Sequence, residues 1–171
     1  GSADMIEFMV IALPRSGTTW ASNWLTTDTT HCLHDPLYEH HYRNWDSIPS
    51  RKVLGVSCTG AYNFSDWVRS HPARKVILHR SLTEINRSLD AIGAPKLSAG
   101  DERKLDAIEG LHVDWQDLFC DPVEIYEYLV QKPFDGERHA ALARIEMQPQ
   151  FSGLTINRGV TRQLLDELRS M

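Results

Sequence analysis

Apolar residues along this chain fall into short runs separated by polar segments, which is the pattern of buried strands in a parallel sheet. The first run, Phe8 to Leu13, contains no polar residue. Four further runs are shorter, and the two at residues 52–57 and 75–80 each contain two β-branched residues. Together they predict five strands, at residues 6–13, 31–33, 52–57, 75–80 and 111–114.

Helix signals lie between and after these runs. Ser81 and Glu84 have the S-x-x-E spacing of a capping box, Asn63 is a candidate cap for the helix that ends before Pro72, and Pro122 suits a first helical position. Helices are predicted at residues 17–26, 64–71, 82–92, 101–109, 122–131, 137–145 and 160–168. The last of them is amphipathic. Irregular structure is predicted at residues 35–49, with a helical turn, and at residues 147–157.

Strands that alternate with helices predict an α/β fold, because parallel strands need crossover connections that cover both faces of the sheet. We expect a single three-layer domain over residues 5–171, with a parallel sheet of about four to five strands flanked by helices. The length of 171 residues and the hydrophobic content of 42% suit one domain with a sizeable core. Residues 1–3, Gly-Ser-Ala, are interpreted as a cloning remnant.

Charge and cysteine content limit the classes of partner. The formal net charge is −5, so the chain has no general attraction to nucleic acid. Its three cysteines are scattered and form no C-x-x-C pair, which indicates a reducing compartment and a cytoplasmic protein. No apolar run reaches the length of a membrane span and no signal peptide is apparent, so a membrane is not an expected partner either.

The residues that follow the first strand, Pro14 to Trp20, carry the main chemical signal. Their Ser-Gly-Thr-Thr core suits a tight turn into a helix, and such a turn directs unpaired backbone N–H groups at one point. An anion, most often a phosphate, is expected there. The Walker A pattern does not match, since Ala12 occupies its first glycine position and Thr18 its lysine position. A nucleoside-triphosphate hydrolase is therefore disfavoured, and the nearest cation is Arg15.

Pro14 to Trp20 resembles the 5′-phosphosulfate-binding loop of sulfotransferases that use 3′-phosphoadenosine 5′-phosphosulfate (PAPS), a loop written P-[KR]-S-G-T-T-W. All seven residues match. Arg80 and Ser88 have the spacing of the Arg and Ser that hold the 3′-phosphate in this family, and Val113 to Pro122 is similar to its structural Y-E-D-L…D-P stretch. The resemblance extends over roughly residues 6–143 and identifies the chain as a short, near-minimal member with the P-loop-like core of that family.

The resemblance implies that PAPS is the sulfuryl donor and that 3′-phosphoadenosine 5′-phosphate (PAP) is the product. The residues implied to bind the cofactor are Arg15, Ser16, Gly17, Thr18, Thr19, Trp20, Arg80 and Ser88. Arg15 is also expected to act in catalysis as the cation at the bridging oxygen, so that no metal is required. Trp20 is expected either to stack on the adenine, as in the family, or to pack in the core beneath the sheet.

The general base is less well defined. Animal cytosolic members of the family use a His in a K-T-H-x-P context after a strand, and the matching residues here, 56–60, contain no His. Other branches use a carboxylate on the segment after the first helix. We therefore expect Asp35 to be the base, with His34 as the alternative, and Pro36 predicts an extended conformation for Asp35.

Two other interpretations of the segment at residues 31–41 stay open. Glu39 is the third candidate for the base. The segment is equally consistent with a polar loop whose histidines are partly solvated. Its His, Cys and Asp side chains are also possible metal ligands. Because their spacing matches no zinc signature, no metal is predicted.

The function that follows is transfer of a sulfuryl group from PAPS to a hydroxyl or amine of an unidentified acceptor. Aromatic residues after the second and third strands hint at a flat or saccharide-like small molecule, although such residues pack cores as often; they are Tyr38, Tyr42, Trp45, Tyr62 and Trp67. Two alternatives remain, a catalytically impaired nucleotide-binding relative and a P-loop kinase of small molecules. The kinase is disfavoured because Thr18 replaces the Walker lysine and no evident Mg²⁺ carboxylate follows a strand.

Overall fold

The structure, a computed structural model, describes residues 5–145 and 157–171. Its centre is a sheet of five strands in the order β2-β3-β1-β4-β5, and all four strand pairs are parallel. The strands are β1 (Ile6–Ala12), β2 (Thr30–His34), β3 (Val53–Cys58), β4 (Arg74–His79) and β5 (Leu111–Asp114). The predicted α/β class with a parallel sheet is therefore confirmed, and all five predicted strands are present.

Helices occupy the connections between strands and the chain after the last strand. The α-helices are α1 (Thr18–Trp24), α2 (Ser65–Ser70), α3 (Leu82–Ala91), α4 (Ala99–Asp106), α5 (Asp117–Cys120), α6 (Pro122–Val130), α7 (Gly136–Ala143) and α8 (Arg158–Ser170). Short 3-10 helices lie at Pro36–Tyr38, Tyr42–Ser47 and Ala61–Phe64. Among the described residues, no helix combines the length and the apolar character needed to cross a membrane.

The sheet is covered on both faces because β1 alternates its side chains between two cores. Met9, Ile11 and Leu13 belong to one cluster, which Trp45, Phe64, Ile85 and Leu105 join from α3, α4 and the 3-10 helices. Phe8, Val10 and Ala12 belong to the other, which Trp20, Trp24, Ile125 and Leu129 join from α1 and α6. The arrangement is that of a three-layer α/β domain.

One of these local predictions is wrong and one helix was not predicted. Asn63 does not cap α2; it lies within the 3-10 helix Ala61–Phe64, and its side-chain amide donates to the Gly60 carbonyl at 3.3 Å. Helix α5 was not predicted, since its four residues are too few to give a helical period. Two predictions fall outside the described residues. They are the cloning remnant at residues 1–3 and the irregular segment at residues 147–157, of which only Asn157 is described.

The strand order places a topological switch point beside β1. The connection through α1 carries the chain from β1 past β3 to β2, whereas the connection through α3 and α4 carries it from β4 outward to β5 on the other side. The crevice between the carboxyl ends of β1 and β4 is therefore flanked by connections that leave in opposite directions. In open α/β sheets, ligands bind at this place.

Candidate functional site

The loop after β1 has the backbone geometry of an anion-binding nest. Arg15 has φ +66° and Gly17 has φ +91°, so two left-handed residues alternate in the turn that opens α1. In the part of the chain that the structure describes, no acceptor takes a hydrogen bond from the N–H groups of residues 16–19. These donors lie at the start of α1, where an anion would satisfy such groups.

Buried contacts fix the loop to its surroundings. Ser16 and Thr18 are buried, and the Thr18 carbonyl accepts a 2.8 Å hydrogen bond from the hydroxyl of Ser57 at the end of β3. A Cβ added at Gly17 would lie 3.1 Å from the Leu118 methyl group of α5. Glycine at this position thus satisfies both a positive φ and a close approach of a second helix.

Arg80 and Ser88, the predicted 3′-phosphate residues, both bond to Arg15. The Arg80 guanidinium donates to the Arg15 carbonyl. The Arg15 Nε donates to the Ser88 hydroxyl at 2.8 Å. The sequence separations are 65 and 73 residues. The structure therefore brings the loop, the end of β4 and the second turn of α3 together at one point.

A cleft of about 420 Å³ opens beside this point, over the carboxyl ends of β4 and β5. It is lined by Arg80, Glu84, Arg87, Ser88, Ala91, Trp115 and Gln116. Trp115 is positioned by its backbone, because its N–H continues the β4–β5 ladder by donating to the His79 carbonyl at 2.8 Å. The Arg80 guanidinium lies over the Trp115 ring, 4.8 Å from its centroid, and Arg80 Nε donates to Glu84 at 3.3 Å.

Trp20 lies in the core of this structure. Only 5% of it is exposed, its indole N–H donates to the Leu142 carbonyl at 3.0 Å, and its ring packs against Trp24 and Phe119 with centroid distances of 5.2 and 4.6 Å. Of the two roles expected for Trp20, the described geometry is that of core packing. The aromatic surface that faces the cleft is Trp115, which sequence reasoning had treated as structural.

His34 and Asp35 lie beside the phosphate loop, at the end of β2. His34 Nε2 is 3.2 Å from the Thr19 hydroxyl and 3.2 Å from Asp35 Oδ2. The other oxygen of Asp35 accepts from the backbone N–H of Thr59 at 2.9 Å and from its hydroxyl at 3.3 Å. The exposed side-chain fractions are 26% for His34 and 13% for Asp35, so the imidazole is the more accessible of the two.

The extended conformation predicted for Asp35 is wrong. Asp35 has φ 44° and ψ 53°, in the left-handed region. A following proline disfavours the right-handed helical region, and aspartate is among the few residues that tolerate the left-handed one. Two contacts hold Asp35 there, since its N–H donates to the Ser57 carbonyl at 2.8 Å and its side chain accepts from Thr59.

Cys58 lies at the end of β3, within residues 56–60, where a His was looked for and none occurs. Burial raises the pKa of this thiol well above its ordinary value, and the negative charge of Asp35 raises it further. Cys58 is 1% exposed. The thiol is therefore protonated at neutral pH and does not supply the missing base.

Most of the aromatic residues expected near the acceptor are core residues. Tyr42, Trp45 and Tyr62 are buried, and Trp67 packs against the same cluster. Tyr38 alone among the five is exposed, at 41%. Partial burial and the nearby Asp35 charge raise the pKa of Tyr38. Of the five aromatic residues, Tyr38 is therefore the one that remains a candidate for contact with an acceptor.

Among the described residues, no group of three or more His, Cys, Asp or Glu side chains has the geometry of a metal site. Glu39 pairs with His40 at 3.8 Å and not with the loop. Thr59, Glu84 and Trp115 are site residues that sequence reasoning did not identify. Of these three residues, only Trp115 could have been noticed in the sequence, because it lies in the segment that resembles Y-E-D-L.

Comparisons with protein-family models, with curated proteins and with solved structures each found no match to this chain. The case for a function therefore rests on the chain's own residues and on the places that the structure gives them.

The geometry of Gly17 predicts a loss of stability on replacement by Ala. A left-handed backbone costs a residue with a Cβ about 1–2 kcal/mol, and the contact with Leu118 adds to that cost. Gly93→Ala is the matched control, because Gly93 has φ +72° but no atom within 4 Å of the added Cβ. Urea unfolding should show a larger loss for Gly17→Ala than for Gly93→Ala. Equal losses would mean that α5 does not press on the loop.

Proposed function

We propose that this protein is a sulfotransferase that moves a sulfuryl group from PAPS to a hydroxyl or amine of a small acceptor. The observation that carries the proposal is the meeting of Arg15, Arg80 and Ser88. A 5′-phosphosulfate and a 3′-phosphate stand on the same ribose, so a protein that binds both needs two anion sites close together. The nest after β1 and the cleft beside Ser88 share Arg15 as their common neighbour.

The charge distribution supports a phosphorylated ligand at this place. The chain as a whole carries −5, yet arginines at positions 15, 80 and 87 gather at one edge of the sheet. Glu84 is the carboxylate that lines the cleft, and it neutralises part of the Arg80 charge. A local excess of guanidinium groups suits phosphate, because the planar fork of Arg pairs with two phosphate oxygens at once.

The proposed chemistry is an in-line displacement at sulfur. The acceptor oxygen or nitrogen forms a bond to sulfur, the bond from sulfur to the 5′-phosphate oxygen breaks, and the acceptor proton passes to a base. Negative charge grows on the departing phosphate oxygen, where a cation stabilises it most. Arg15 supplies that cation by turning from Ser88 towards the loop, and the loop N–H groups hold the phosphate.

His34 is the better candidate for the base, and Asp35 is the residue that positions it. His34 Nε2 lies 3.2 Å from Asp35 Oδ2, so the carboxylate stands beside the ring nitrogen that meets Thr19 of the loop. Asp35 is fixed in turn by Thr59. The 3.2 Å contact with the Thr19 hydroxyl places the imidazole beside the loop, where the sulfuryl group would lie.

The proposal predicts selectivity for a 3′-phosphate. PAP should raise the melting temperature of the protein more than adenosine 5′-phosphate or ATP with Mg²⁺, and at about 100 times its Kd it should add roughly 2.7 kcal/mol of stability. Arg80→Ala should weaken PAP binding by about 1.5–3 kcal/mol, the usual loss for a charge-assisted contact, and should affect adenosine 5′-phosphate less. Isothermal titration calorimetry measures both.

The melting temperature of unliganded Arg80→Ala is the control for the fold, since this side chain also holds the Arg15 carbonyl. An equal shift with PAP and with ATP and Mg²⁺ would contradict the sulfotransferase proposal and favour the kinase. PAP binding without any turnover of PAPS would favour the catalytically impaired relative.

A second prediction separates the base from its positioning residue. His34→Gln should bind PAPS normally and lose about 100-fold or more in kcat, because general-base catalysis contributes on that scale. Asp35→Asn should lower kcat by a smaller factor with KM for PAPS unchanged, since the imidazole remains but is less well oriented. Steady-state rates with labelled PAPS and an acceptor found by library screening give both parameters.

His40→Gln is the matched control, because His40 lies in the same segment and its side chain pairs with Glu39 instead of the loop. Full loss in Asp35→Asn with full activity in His34→Gln would restore Asp35 as the base. Full activity in both variants would remove this segment from the mechanism.

A further inference from the structure

One face of α3 forms a wall of the cleft. Glu84, Arg87, Ser88 and Ala91 are spaced i, i+3, i+4 and i+7, so they share that face, while Ile85 and Leu89 point into the core. Arg87 is the member of this face that the proposed function has not used. It is adjacent to Ser88 in sequence and lines the same cleft as Arg80.

The two arginines of the cleft differ in what they contact. Arg80 already donates to the Arg15 carbonyl and to Glu84, and it lies over the Trp115 ring. Arg87 is exposed, and within residues 5–145 and 157–171 its guanidinium has neither a hydrogen-bond acceptor nor a carboxylate within ion-pair distance. All of its donors are thus available to a ligand.

We infer that Arg87 is a second residue, besides Arg80, by which this cleft distinguishes a 3′-phosphate from a free 3′-hydroxyl. The inference rests on the proposed function. A phosphate monoester carries close to two negative charges at neutral pH. Arg80 is partly neutralised by Glu84, so a second cation is needed to balance that charge. Arg87 lines the same cleft as Ser88, whose hydroxyl would donate to the same phosphate.

The test is calorimetry with three ligands of related structure: PAP, adenosine 2′,5′-bisphosphate and adenosine 5′-phosphate. Arg87→Gln should weaken PAP binding by about tenfold or more, which corresponds to about 1.4 kcal/mol, and should change adenosine 5′-phosphate binding less than about twofold. Arg87→Lys keeps the charge and should retain most of the PAP affinity. The 2′,5′-bisphosphate carries the same charge as PAP and should bind more weakly to the wild type.

Arg51→Gln is the matched control, because Arg51 is exposed, carries the same charge and lies at the amino end of β3, whereas the cleft lies at the carboxyl ends of β4 and β5. It should leave the affinity for all three ligands unchanged. Unliganded melting temperatures check that each variant is folded, as expected for an exposed side chain.

Two results would overturn the inference while leaving the proposed function intact: unchanged PAP binding in Arg87→Gln, or equal losses for PAP and adenosine 5′-phosphate. A wild-type protein that binds PAP no more tightly than adenosine 5′-phosphate would overturn both, since there would be no discrimination for Arg87 to provide.

Discussion

The geometry of the site depends on the hydrogen bond from the Arg80 guanidinium to the Arg15 carbonyl. Arg15 is a non-glycine residue held at φ +66°, a conformation that persists only where the surroundings fix it. The bond from Arg80 holds its carbonyl from the end of β4. Because this contact is made to the backbone of Arg15, it holds the turn wherever the Arg15 side chain lies.

The hydrophobic clusters on the two faces of the sheet hold different parts of the site in position. The cluster that contains Trp20, Trp24 and Leu118 anchors α1 and presses α5 against Gly17, so it sets the position of the loop. The cluster that contains Ile85 and Leu89 anchors α3 and so sets the position of Ser88. Because β1 contributes side chains to both clusters, the loop that follows it is held from both sides.

Much of the fold and part of the site could be predicted from the sequence. Runs of apolar residues report burial directly, which is why the strands and the loop after Leu13 are found where the pattern puts them. Hydrogen-bond partners distant in sequence leave no such signal. The contact between Asp35 and Thr59 spans 24 residues, and the composition of neither segment predicts it.

The same limit explains why the sequence did not show which aromatic residues face the cleft and which lie in the core. Trp20 and Tyr42 have the same chemistry whether they stack on a ligand or on a neighbouring ring, and only packing decides between the two. Trp20 lies among Trp24 and Phe119, whereas Trp115 is carried to the cleft by the last backbone hydrogen bond of the β4–β5 pair. A short helix such as α5 is likewise determined by its tertiary contacts, because four residues cannot form a stable helix alone.

The most direct test of this account is a crystal structure of the protein with PAP bound, in which the distances from the two phosphates are measured. The account predicts that the 3′-phosphate oxygens lie within hydrogen-bond distance of Arg80 and Ser88. The 5′-phosphate oxygens should lie within that distance of the backbone N–H groups of residues 16–19. A nucleotide bound away from the cleft, or bound with its 5′-phosphate on Arg80 and no anion at the loop, would contradict the account.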